Sequence, residues 1–328
     1  THPPTTEPPK GQGRSVKNFA ITGVSGYIAP RHLRAIRDTG NRLIAAVDPN
    51  DSAGILDSYF TDVAFFTEFE RFDRHIEKLR HRSQGESLDY LSICSPNHLH
   101  DAHCRLALRA GADAICEKPL VLNPWNLDAL EEIERESGKR IWTILQLRLL
   151  PSIIELKQKI DAAPPGTRHH VKLSYITGRG PWYRYSWKGQ HEKSGGIATN
   201  IGIHLFDLLL WLFGPVQKNE VHVMERERAG GFLALERAEI VWFLSIDMKD
   251  LPFEPRPGEL TTFRSILVDG QELEFTKGFT DLHTRVYEET LAGRGFGIAD
   301  ARRSIELVHQ IRHAPIGRGE GPRHPSLR

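Results

Sequence analysis

The chain has 328 residues, of which 39% are hydrophobic and 26% charged, and its formal net charge is +1. This length allows about two domains of ordinary size, and the composition is that of a globular protein. A net charge near zero gives no electrostatic reason to expect nucleic acid or an anionic membrane as a partner, and no purely apolar run approaches the ~18 residues that span a bilayer.

The first residues and the cysteines bear on the location of the protein. Residues 1–17 are rich in proline and polar side chains and lack an apolar signal core. We expect a disordered tail there and not an export signal. Cys94, Cys104 and Cys116 lie in apolar stretches and are odd in number, so a disulfide framework is not indicated and a reducing cytoplasm is expected.

Short β-rich runs alternate with helical patterns in the first half of the chain. Strands are predicted at 18–23, 43–48, 88–96, 112–119 and 140–148, and helices at 30–40, 68–82, 98–111 and from Asn123-Pro124 onward, where an N-cap residue precedes a proline. Near-continuous apolar strands separated by helices are typical of a parallel sheet covered on both faces. Residues 18–148 are therefore predicted to form a Rossmann-type, doubly wound α/β domain.

The pattern changes after Arg148. A helix at 151–160, a strand at 171–179, a polar aromatic loop to Gly196 and a helix near 200–213 are followed by strands at 220–226, 232–236, 238–248, 263–270 and 271–277 and a last helix near 298–313. Asp269-Gly270 is a hairpin signal between two of these strands. Residues 149–328 are predicted to form an α+β domain with an open, mostly antiparallel sheet, helices on one face and a frayed C-terminal end.

A glycine-rich turn directly follows the first predicted strand. Gly26 and Ala29 fit the last two positions of the dinucleotide-binding pattern G-x-G-x-x-G/A, in which small residues let the backbone approach a pyrophosphate. The first glycine, Gly23, is displaced by one position, and such a turn alone is a weak signal.

An acidic residue strengthens this interpretation. Asp48 ends the second predicted strand, close to the ~20-residue offset of the acid that binds a ribose 2′-hydroxyl. A carboxylate at this place repels a 2′-phosphate, so NAD is favoured over NADP. The alternative is a turn aspartate in Asp48-Pro49-Asn50. Together with the βα alternation, the turn and the acid predict dinucleotide binding.

Two motifs at predicted strand ends carry a family resemblance. They are Ser95-Pro96-Asn97-His98-Leu99-His100 and Glu117-Lys118-Pro119-Leu120. With the Rossmann pattern before them and the open sheet after them, they resemble the Gfo/Idh/MocA family of sugar oxidoreductases over residues 18 to about 313. The segments 22–36, 95–100, 177–188 and 194–209 are more narrowly similar to its WlbA-type subgroup.

The resemblance implies an activity. The subgroup uses NAD to oxidise the C3 hydroxyl of UDP-N-acetylglucosaminuronic acid to a ketone, for diacetamido uronic acids of bacterial surface polysaccharide such as O-antigen, and is typically a tetramer. Whether NADH leaves or is reoxidised in place by a keto acid such as 2-oxoglutarate stays open. Another sugar or inositol dehydrogenase of the family is one alternative, and a non-catalytic NAD-binding regulator is another.

The resemblance also places Lys118 and His204 at the active site. Oxidation of an alcohol needs a base at the hydroxyl, and a histidine with a pKa near 6.5 can accept a proton at pH 7, whereas an ordinary lysine cannot. We assign His204 as the base and Lys118 as the group that orients the hydroxyl, and the exchanged roles stay open. Asp207 either orients the imidazole or lies on the helix surface. The structural alternatives are a core histidine and a solvated lysine.

Larger sets of residues are assigned to binding. The expected NAD contacts are Gly23, Gly26, Tyr27, Ile28, Asp48, Asn50, Ser95, Pro96, Asn97, His100, Glu117, Lys118, Gln146 and Trp187. A nucleotide-sugar uronate carries a diphosphate and a carboxylate and requires cationic donors. The expected substrate contacts are Lys118, Arg148, Arg179, Tyr183, Lys188, Ser194, Asn200 and His204.

A crowded group of possible metal ligands begins within the first of the two strand-end motifs. His98, His100, His103 and Cys104 are close in sequence, but their spacing matches no common zinc pattern. We therefore expect no metal site.

Overall fold

A computed structural model of the chain describes residues 15–82, 85–255, 261–273, 282–317 and 319–327. Of the predicted tail, residues 1–14 lie outside these ranges, as does the part of the predicted strand 271–277 that follows residue 273.

The first half of the chain forms a parallel sheet covered by helices. Its elements are β1 (Asn18–Thr22), α1 (Ala29–Asp38), β2 (Arg42–Val47), β3 (Ala64–Phe66), α2 (Phe69–Arg80), β4 (Tyr90–Ile93), α3 (His100–Arg109), β5 (Asp113–Cys116), α4 (Pro124–Ser137) and β6 (Ile141–Thr143). The strand order is β3-β2-β1-β4-β5-β6, and every neighbouring pair is parallel. All five residues of β1 are buried, as a strand covered on both faces requires. The doubly wound prediction is confirmed.

The second half forms a mixed sheet. Its elements are α5 (Pro151–Ala162), β7 (His169–Thr177), α6 (Trp182–Tyr185), α7 (His191–Ser194), α8 (Ile203–Phe213), β8 (Val216–Met224), β9 (Arg228–Leu235), β10 (Ala238–Ser245), β11 (Thr262–Val268), β12 (Gln271–Glu272), α9 (Leu282–Leu291) and α10 (Ile298–His313). The order is β12-β11-β7-β10-β9-β8, in which only the β7–β10 pair is parallel. Asp269 and Gly270 both have positive φ, as the predicted hairpin turn requires. The mostly antiparallel sheet is confirmed.

Several elements depart from the sequence-based prediction. Strand β3 and the short helices α6 and α7 were not predicted. The strand expected at 140–148 ends at Thr143, and residues 146–149 form a 3₁₀ turn instead. Helix α9 was not predicted, and it packs against α1 of the first sheet through the buried side chains His283, Val286 and Tyr287. The chain therefore returns to the first sheet after completing the second.

The helical stretch from His191 to Phe213 is the one in the described ranges that is long and apolar enough to cross a membrane by length and composition. Of its most apolar window, 78% is buried inside the fold. The stretch includes α8, whose residues Leu205, Phe206 and Leu208 are fully buried. Packing inside the fold accounts for its apolar character, and one such stretch is weak support for a membrane span.

The C-terminal segment packs on the second sheet and is not frayed. His324 is 2% exposed, its Nε2 lies 2.9 Å from Ser174 Oγ, and its ring stacks on Phe243 at 5.6 Å. Leu327 packs into the same cluster over Gly230, where an added Cβ would lie 2.9 Å from the leucine side chain. The missing side chain at Gly230 therefore makes room for the segment.

Replacing His324 with glutamine tests this packing through its pH dependence. Burial lowers the pKa of His324 to about 4, whereas an unfolded histidine titrates near 6.5. Between these values only the unfolded chain binds the proton, so stability is lost as the pH falls from about 6.5 towards 4. Urea unfolding should show that the stability advantage of the wild type over His324→Gln shrinks by about 2 kcal/mol between pH 7 and pH 5.

The matched control is His81→Gln, because the His81 side chain is 75% exposed. It should leave the pH dependence of unfolding unchanged. A pH-independent difference between the wild type and His324→Gln would contradict the buried placement of His324.

Candidate active site

The glycine turn joins the end of β1 to the start of α1. Gly23 has φ +74°, and a Cβ on it would lie 2.5 Å from the carbonyl oxygen of Cys94. Only glycine fits such a backbone against the neighbouring strand end. Gly26 accepts the N–H of Ala29 at 3.1 Å, and α1 begins there. The turn thus presents the N-terminus of a helix at the carboxyl edge of the sheet, where anions bind readily.

The Asp48 carboxylate braces this turn. Its Oδ2 accepts the N–H of Ser25 at 3.0 Å, and its Oδ1 accepts the N–H of Asn50 at 2.9 Å. A carboxylate has about four acceptor positions, so these two bonds leave capacity for a ribose hydroxyl. The Tyr27 side chain is 82% exposed, which places it on the rim of the turn, and Ile28 precedes the first residue of α1.

The structure brings Lys118 and His204 together although they are far apart in sequence. Both line one small cavity, which Thr143 and Ser304 also border. The Lys118 Nζ donates to the carbonyl oxygen of Asn200 at 3.3 Å. Asn200 lies one turn before His204, in a π-helical turn (residues 198–202) that leads into α8. The end of β5 and the start of α8 therefore meet at the carboxyl edge of the parallel sheet, as the sequence predicted.

The charges around this pair shift both pKa values downward. Burial lowers the pKa of Lys118, Glu117 opposes this shift, and Lys188 and Arg264 add to it. Burial, with Lys118 and Arg264, holds the pKa of His204 well below its usual value. The pKa of Lys118 therefore shifts towards neutral pH, and the pKa of His204 shifts away from it. Since a general base works best with a pKa near the operating pH, these directions favour the exchange of the two assigned roles.

Glu117 is the centre of a buried polar network behind Lys118. Its Oε1 accepts a hydrogen bond from His32 Nε2 at 2.9 Å and from His283 Nε2 at 2.8 Å. The other nitrogen of His32 lies 2.7 Å from the hydroxyl of Tyr287, which lies 2.6 Å from Ser92 Oγ. Burial opposes ionisation of Glu117, but the two imidazoles outweigh it and hold its pKa well below the usual range. This network explains the buried glutamate, and its expected contact with NAD stays a prediction.

The same three residues have the atom types of a metal site. The ligand atoms of His32, Glu117 and His283 lie within 4.8 Å of one another. Their contacts of 2.8 and 2.9 Å are ordinary hydrogen-bond lengths, so hydrogen bonding accounts for the cluster.

A chain of amides links the two halves of the site. Asn97 Nδ2 donates to the Ser194 carbonyl at 3.0 Å and to Asn200 Oδ1 at 3.3 Å. Asn200 Nδ2 in turn donates to the hydroxyl of Tyr183 at 2.8 Å. Ser194 is fully buried, and its hydroxyl donates to the Gln190 carbonyl. This side chain holds the loop together, and Ser194 also lines the larger cavity beside Tyr183 and Lys188, so its contact with substrate stays a prediction.

His100 also has a structural place. It is 1% exposed, and its ring nitrogens lie 2.6 Å from the Pro119 carbonyl and 2.9 Å from the Ser95 carbonyl. It ties the two strand-end motifs to each other, and its expected contact with NAD stays a prediction. The Ser95 hydroxyl lies 2.8 Å from His103 Nδ1, while Pro96 precedes the short turn that carries Asn97.

Arg148 is engaged by protein carboxylates. Its Nε donates to Asp207 Oδ2 at 2.9 Å and its Nη2 to Asp207 Oδ1 at 2.8 Å, with a further bond from Nη2 to the Asp300 carbonyl at 3.0 Å. The Arg148 side chain is only 8% exposed. Arg148 thus joins α8 to α10, and its expected contact with substrate stays a prediction. Asp207 is buried, so it does not lie on the helix surface, and its imidazole-orienting role also stays a prediction.

The remaining predicted residues lie around the rim. Gln146 is 8% exposed, and its Oε1 has no hydrogen-bond partner in the described part of the chain. Lys188 Nζ lies 5.7 Å from the ring centres of both Trp182 and Trp187. Burial and the charge of Arg179 lower the pKa of Lys188. The exposed Arg179 therefore adds to a concentration of positive charge beside Lys118.

These residues fit a dinucleotide. The turn at Gly23 has the tight backbone that a pyrophosphate approaches, and Asp48 keeps free acceptor positions at the end of β2. The buried acceptor of Gln146 is costly to leave unpaired, and a ligand N–H would satisfy it.

Sequence reasoning missed two groups of residues. His32, His283 and Tyr287 come from helices whose contact with Glu117 no local pattern indicates. Arg264 lies on β11 opposite Tyr175, with its guanidinium carbon 5.1 Å from the tyrosine ring centre. The feature of the sequence that could have indicated Arg264 is a cation within a predicted strand.

Two family models match the chain. The one described as "Oxidoreductase family, NAD-binding Rossmann fold" matches residues 17–145. The one described as "Oxidoreductase family, C-terminal alpha/beta domain" matches residues 166–250. The family is Gfo/Idh/MocA.

Solved structures and curated relatives give further similarities. The WlbA (WbpB) dehydrogenase from Thermus thermophilus in complex with NAD and alpha-ketoglutarate is 50% identical, with a TM-score of 0.90, over 95% of this chain and 100% of that one. Its complex with NAD and UDP-GlcNAcA is 49% identical, with a TM-score of 0.89, again over 95% of this chain and 100% of that one. A putative UDP-kanosamine synthase oxidoreductase subunit from Amycolatopsis mediterranei is 31% identical over 42% of this chain, which spans 38% of that protein. Two other curated relatives are spanned by the chain over 35% and 40% of their lengths.

Replacing Arg148 with methionine tests the buried ion pair. The change leaves the Asp207 carboxylate buried without its cation, and breaking such a pair costs about 3–5 kcal/mol. Urea unfolding should show a loss of this size. The double variant Arg148→Met/Asp207→Leu should recover much of it, because no buried charge then remains.

The matched control is Arg302→Met on α10, whose carboxylate partners are Asp128 and Glu131 on the surface. We expect a loss of at most about 1 kcal/mol there. Equal losses for both single variants would contradict the structural place of Arg148.

Proposed function

Because the chain belongs to the Gfo/Idh/MocA oxidoreductase family, we propose that it oxidises the C3 hydroxyl of UDP-N-acetylglucosaminuronic acid to a ketone with NAD. The meeting of Lys118 and His204 in one cavity at the carboxyl edge of the Rossmann sheet carries this proposal. It is supported by the Thermus thermophilus dehydrogenase, 49% identical, which was crystallised with NAD and UDP-GlcNAcA.

Lys118 and His204 are proposed as the catalytic residues, with the proton accepted by Lys118. The lowered pKa of Lys118 makes its neutral amine available near physiological pH. His204 stays neutral, since its pKa lies well below the usual value, and its imidazole hydrogen-bonds the reacting oxygen. Burial keeps bulk water from competing for this hydrogen bond.

The cofactor is held by the turn at 23–28, by Asp48 and by residues at the ends of β4 and β5. Gln146 and Trp187 complete the proposed contacts. Bound NAD⁺ supplies the acceptor for the hydride that leaves C3. The Asp48 carboxylate selects NAD over NADP by repulsion of a 2′-phosphate. Asn97 and Asn50 hold the two strand ends in place through their hydrogen bonds.

The nucleotide sugar is placed along the loop between β7 and α8. Arg179 and Lys188 supply positive charge, and Tyr183 and Asn200 supply neutral hydrogen bonds at the reacting end. A cavity of about 460 Å³ opens beside Tyr183 and Lys188, a size that suits a small-molecule site. We assign the diphosphate and uridine to this cavity.

The division of labour follows the two sheets. Residues 18–148 form the NAD-binding part. Residues 149–328 form the substrate-binding part, which also provides the surface for oligomerisation, although its helix α9 packs on the first sheet.

We propose a homotetramer in the cytoplasm that serves the synthesis of diacetamido uronic acids for surface polysaccharide. We further propose 2-oxoglutarate as the final hydride acceptor, because the Thermus thermophilus dehydrogenase was crystallised with NAD and alpha-ketoglutarate.

A substrate panel tests the proposed reaction. The NADH absorbance of purified protein mixed with NAD should rise with UDP-N-acetylglucosaminuronic acid. It should rise at least about 10²-fold less efficiently with UDP-N-acetylglucosamine, because a site built for a carboxylate rejects the analogue that lacks it. A reaction with the uncharged sugar alone would overturn the proposal.

Variants of Lys118 and His204 test the assigned roles. The value of kcat/KM should rise with pH as Lys118 loses its proton, through a pKa below the ordinary 10.5. Lys118→Arg keeps the charge but cannot accept a proton, so we expect a loss of about 10³-fold. His204→Asn should also lower the rate but keep the acid limb of the pH profile.

Lys159→Arg is the matched control, because Lys159 lies exposed on α5. An acid limb that disappears in His204→Asn and persists in Lys118→Arg would return the role of base to His204. Near-normal turnover in both variants would remove both residues from the site.

A further inference from the structure

We infer that Arg264 binds the carboxylate of the sugar and that the same guanidinium then binds the distal carboxylate of 2-oxoglutarate. This inference rests on the proposed function and names the residue that selects both substrates.

The face of the sheet on which Arg264 lies follows from strand alternation. Side chains two apart on a strand share a face, so Arg264 lies on the same face as Ile266. Ile266 belongs to the large core packed under the helices, whereas Phe263 belongs to the cluster with Leu327 on the opposite face. Arg264 therefore faces α8 and the catalytic residues.

A row of contacts connects Arg264 to the reacting end of the site. Its guanidinium carbon lies 5.1 Å from the ring centre of Tyr175. The Tyr175 ring meets His204 edge-on, with ring centres 5.8 Å apart at an interplanar angle of 88°. His204 and Lys118 border one cavity. The Tyr175 ring therefore contacts both the Arg264 guanidinium and the imidazole of His204.

The local charge favours an anion at this place. Arg264 acts on both members of the catalytic pair, since its charge lowers the pKa of Lys118 and of His204. Lys188 contributes in the same direction at Lys118. A bound carboxylate offsets this repulsion between like charges. The planar guanidinium also matches a carboxylate through two parallel hydrogen bonds, which an ammonium cannot do.

The two substrates share one spacing. In the sugar, the reacting carbon C3 is separated from the carboxylate carbon C6 by the three bonds C3–C4, C4–C5 and C5–C6. In 2-oxoglutarate, the reacting carbon C2 is separated from the carboxylate carbon C5 by the three bonds C2–C3, C3–C4 and C4–C5. A single arginine can therefore bind the carboxylate of either molecule while the reacting carbon stays at the same place beside Lys118.

The overall exchange balances with these two substrates alone. The sugar loses a hydride from C3 and a proton from O3 and becomes the 3-keto sugar. 2-Oxoglutarate gains a hydride at C2 and a proton at its keto oxygen and becomes 2-hydroxyglutarate. Lys118 releases to the second substrate the proton that it accepted from the first.

The decisive experiment compares 2-oxoglutarate with 2-oxopentanoate, which has the same chain but lacks the distal carboxylate. In the wild-type holoenzyme reduced by UDP-N-acetylglucosaminuronic acid, NADH reoxidation should favour 2-oxoglutarate by about 100-fold, the size expected for a desolvated charge pair. In Arg264→Gln the ratio of the two rates should fall to within about threefold. The preference for the uronate over UDP-N-acetylglucosamine should fall in the same variant.

A binding measurement gives a readout that does not depend on turnover. Calorimetry of NAD-loaded protein should show that Arg264→Gln weakens the binding of 2-oxoglutarate by about 100-fold. The control is Arg168→Gln at the start of β7, where Arg168 bonds Gln217 and pairs with Glu239 on the surface, and it should keep wild-type affinity. If Arg264→Gln does not fold, Arg264→Lys keeps the charge without the paired geometry, and we expect about 10-fold weaker binding.

The outcomes separate the two proposals. A wild-type protein that does not oxidise the uronate overturns the proposed function. A wild-type protein that does so, while folded Arg264→Gln keeps both preferences, overturns this inference alone. Loss of the sugar preference with 2-oxoglutarate selectivity intact overturns the shared use of Arg264.

Discussion

The buried ammonium of Lys118 is the constraint on which the site depends. An amine taken out of water loses solvation, and its pKa falls because the charged form is penalised. The protein compensates only in part, with one hydrogen bond to the Asn200 carbonyl and with the negative charge of Glu117. That incomplete compensation is what a catalytic amine requires, since a fully paired lysine would stay protonated and could not accept a proton.

Glu117 sets the degree of compensation, and it does so from a fixed position. Two imidazoles hold its carboxylate ionised although it is buried. One of them, His283, is brought by a helix that returns to the first sheet after the second sheet is complete. The electrostatics of Lys118 therefore depend on a contact between segments 166 residues apart, and the fold must be finished before the amine has its working pKa.

The sequence predicted those parts of the molecule that have a local cause. Apolar periodicity located the parallel strands, and Asp269-Gly270 marked the hairpin by its need for positive φ. The family resemblance placed Lys118 and His204 in one site, and both border one cavity. What the sequence did not indicate has a non-local origin. A cation near a strand end is ambiguous, and only the approach of Asp207 from α8 shows the ion pair that Arg148 forms. The bond from the Ser194 hydroxyl to its own loop was likewise not predicted.

The buried polar contacts also determine which movements are costly. Glu117–His283, Arg148–Asp207 and Asn97–Ser194 each join segments that are distant in sequence, and each would leave a buried polar or charged group unpaired if it broke. Separation of the two sheets at the site would break several of them at once, at a cost of several kcal/mol. The loop from Arg179 to Lys193 has fewer such ties, and its Trp182 and Tyr185 are exposed. Entry of a nucleotide sugar is therefore cheapest through this loop, which leaves the amine, the imidazole and the dinucleotide turn in fixed relation while substrates exchange.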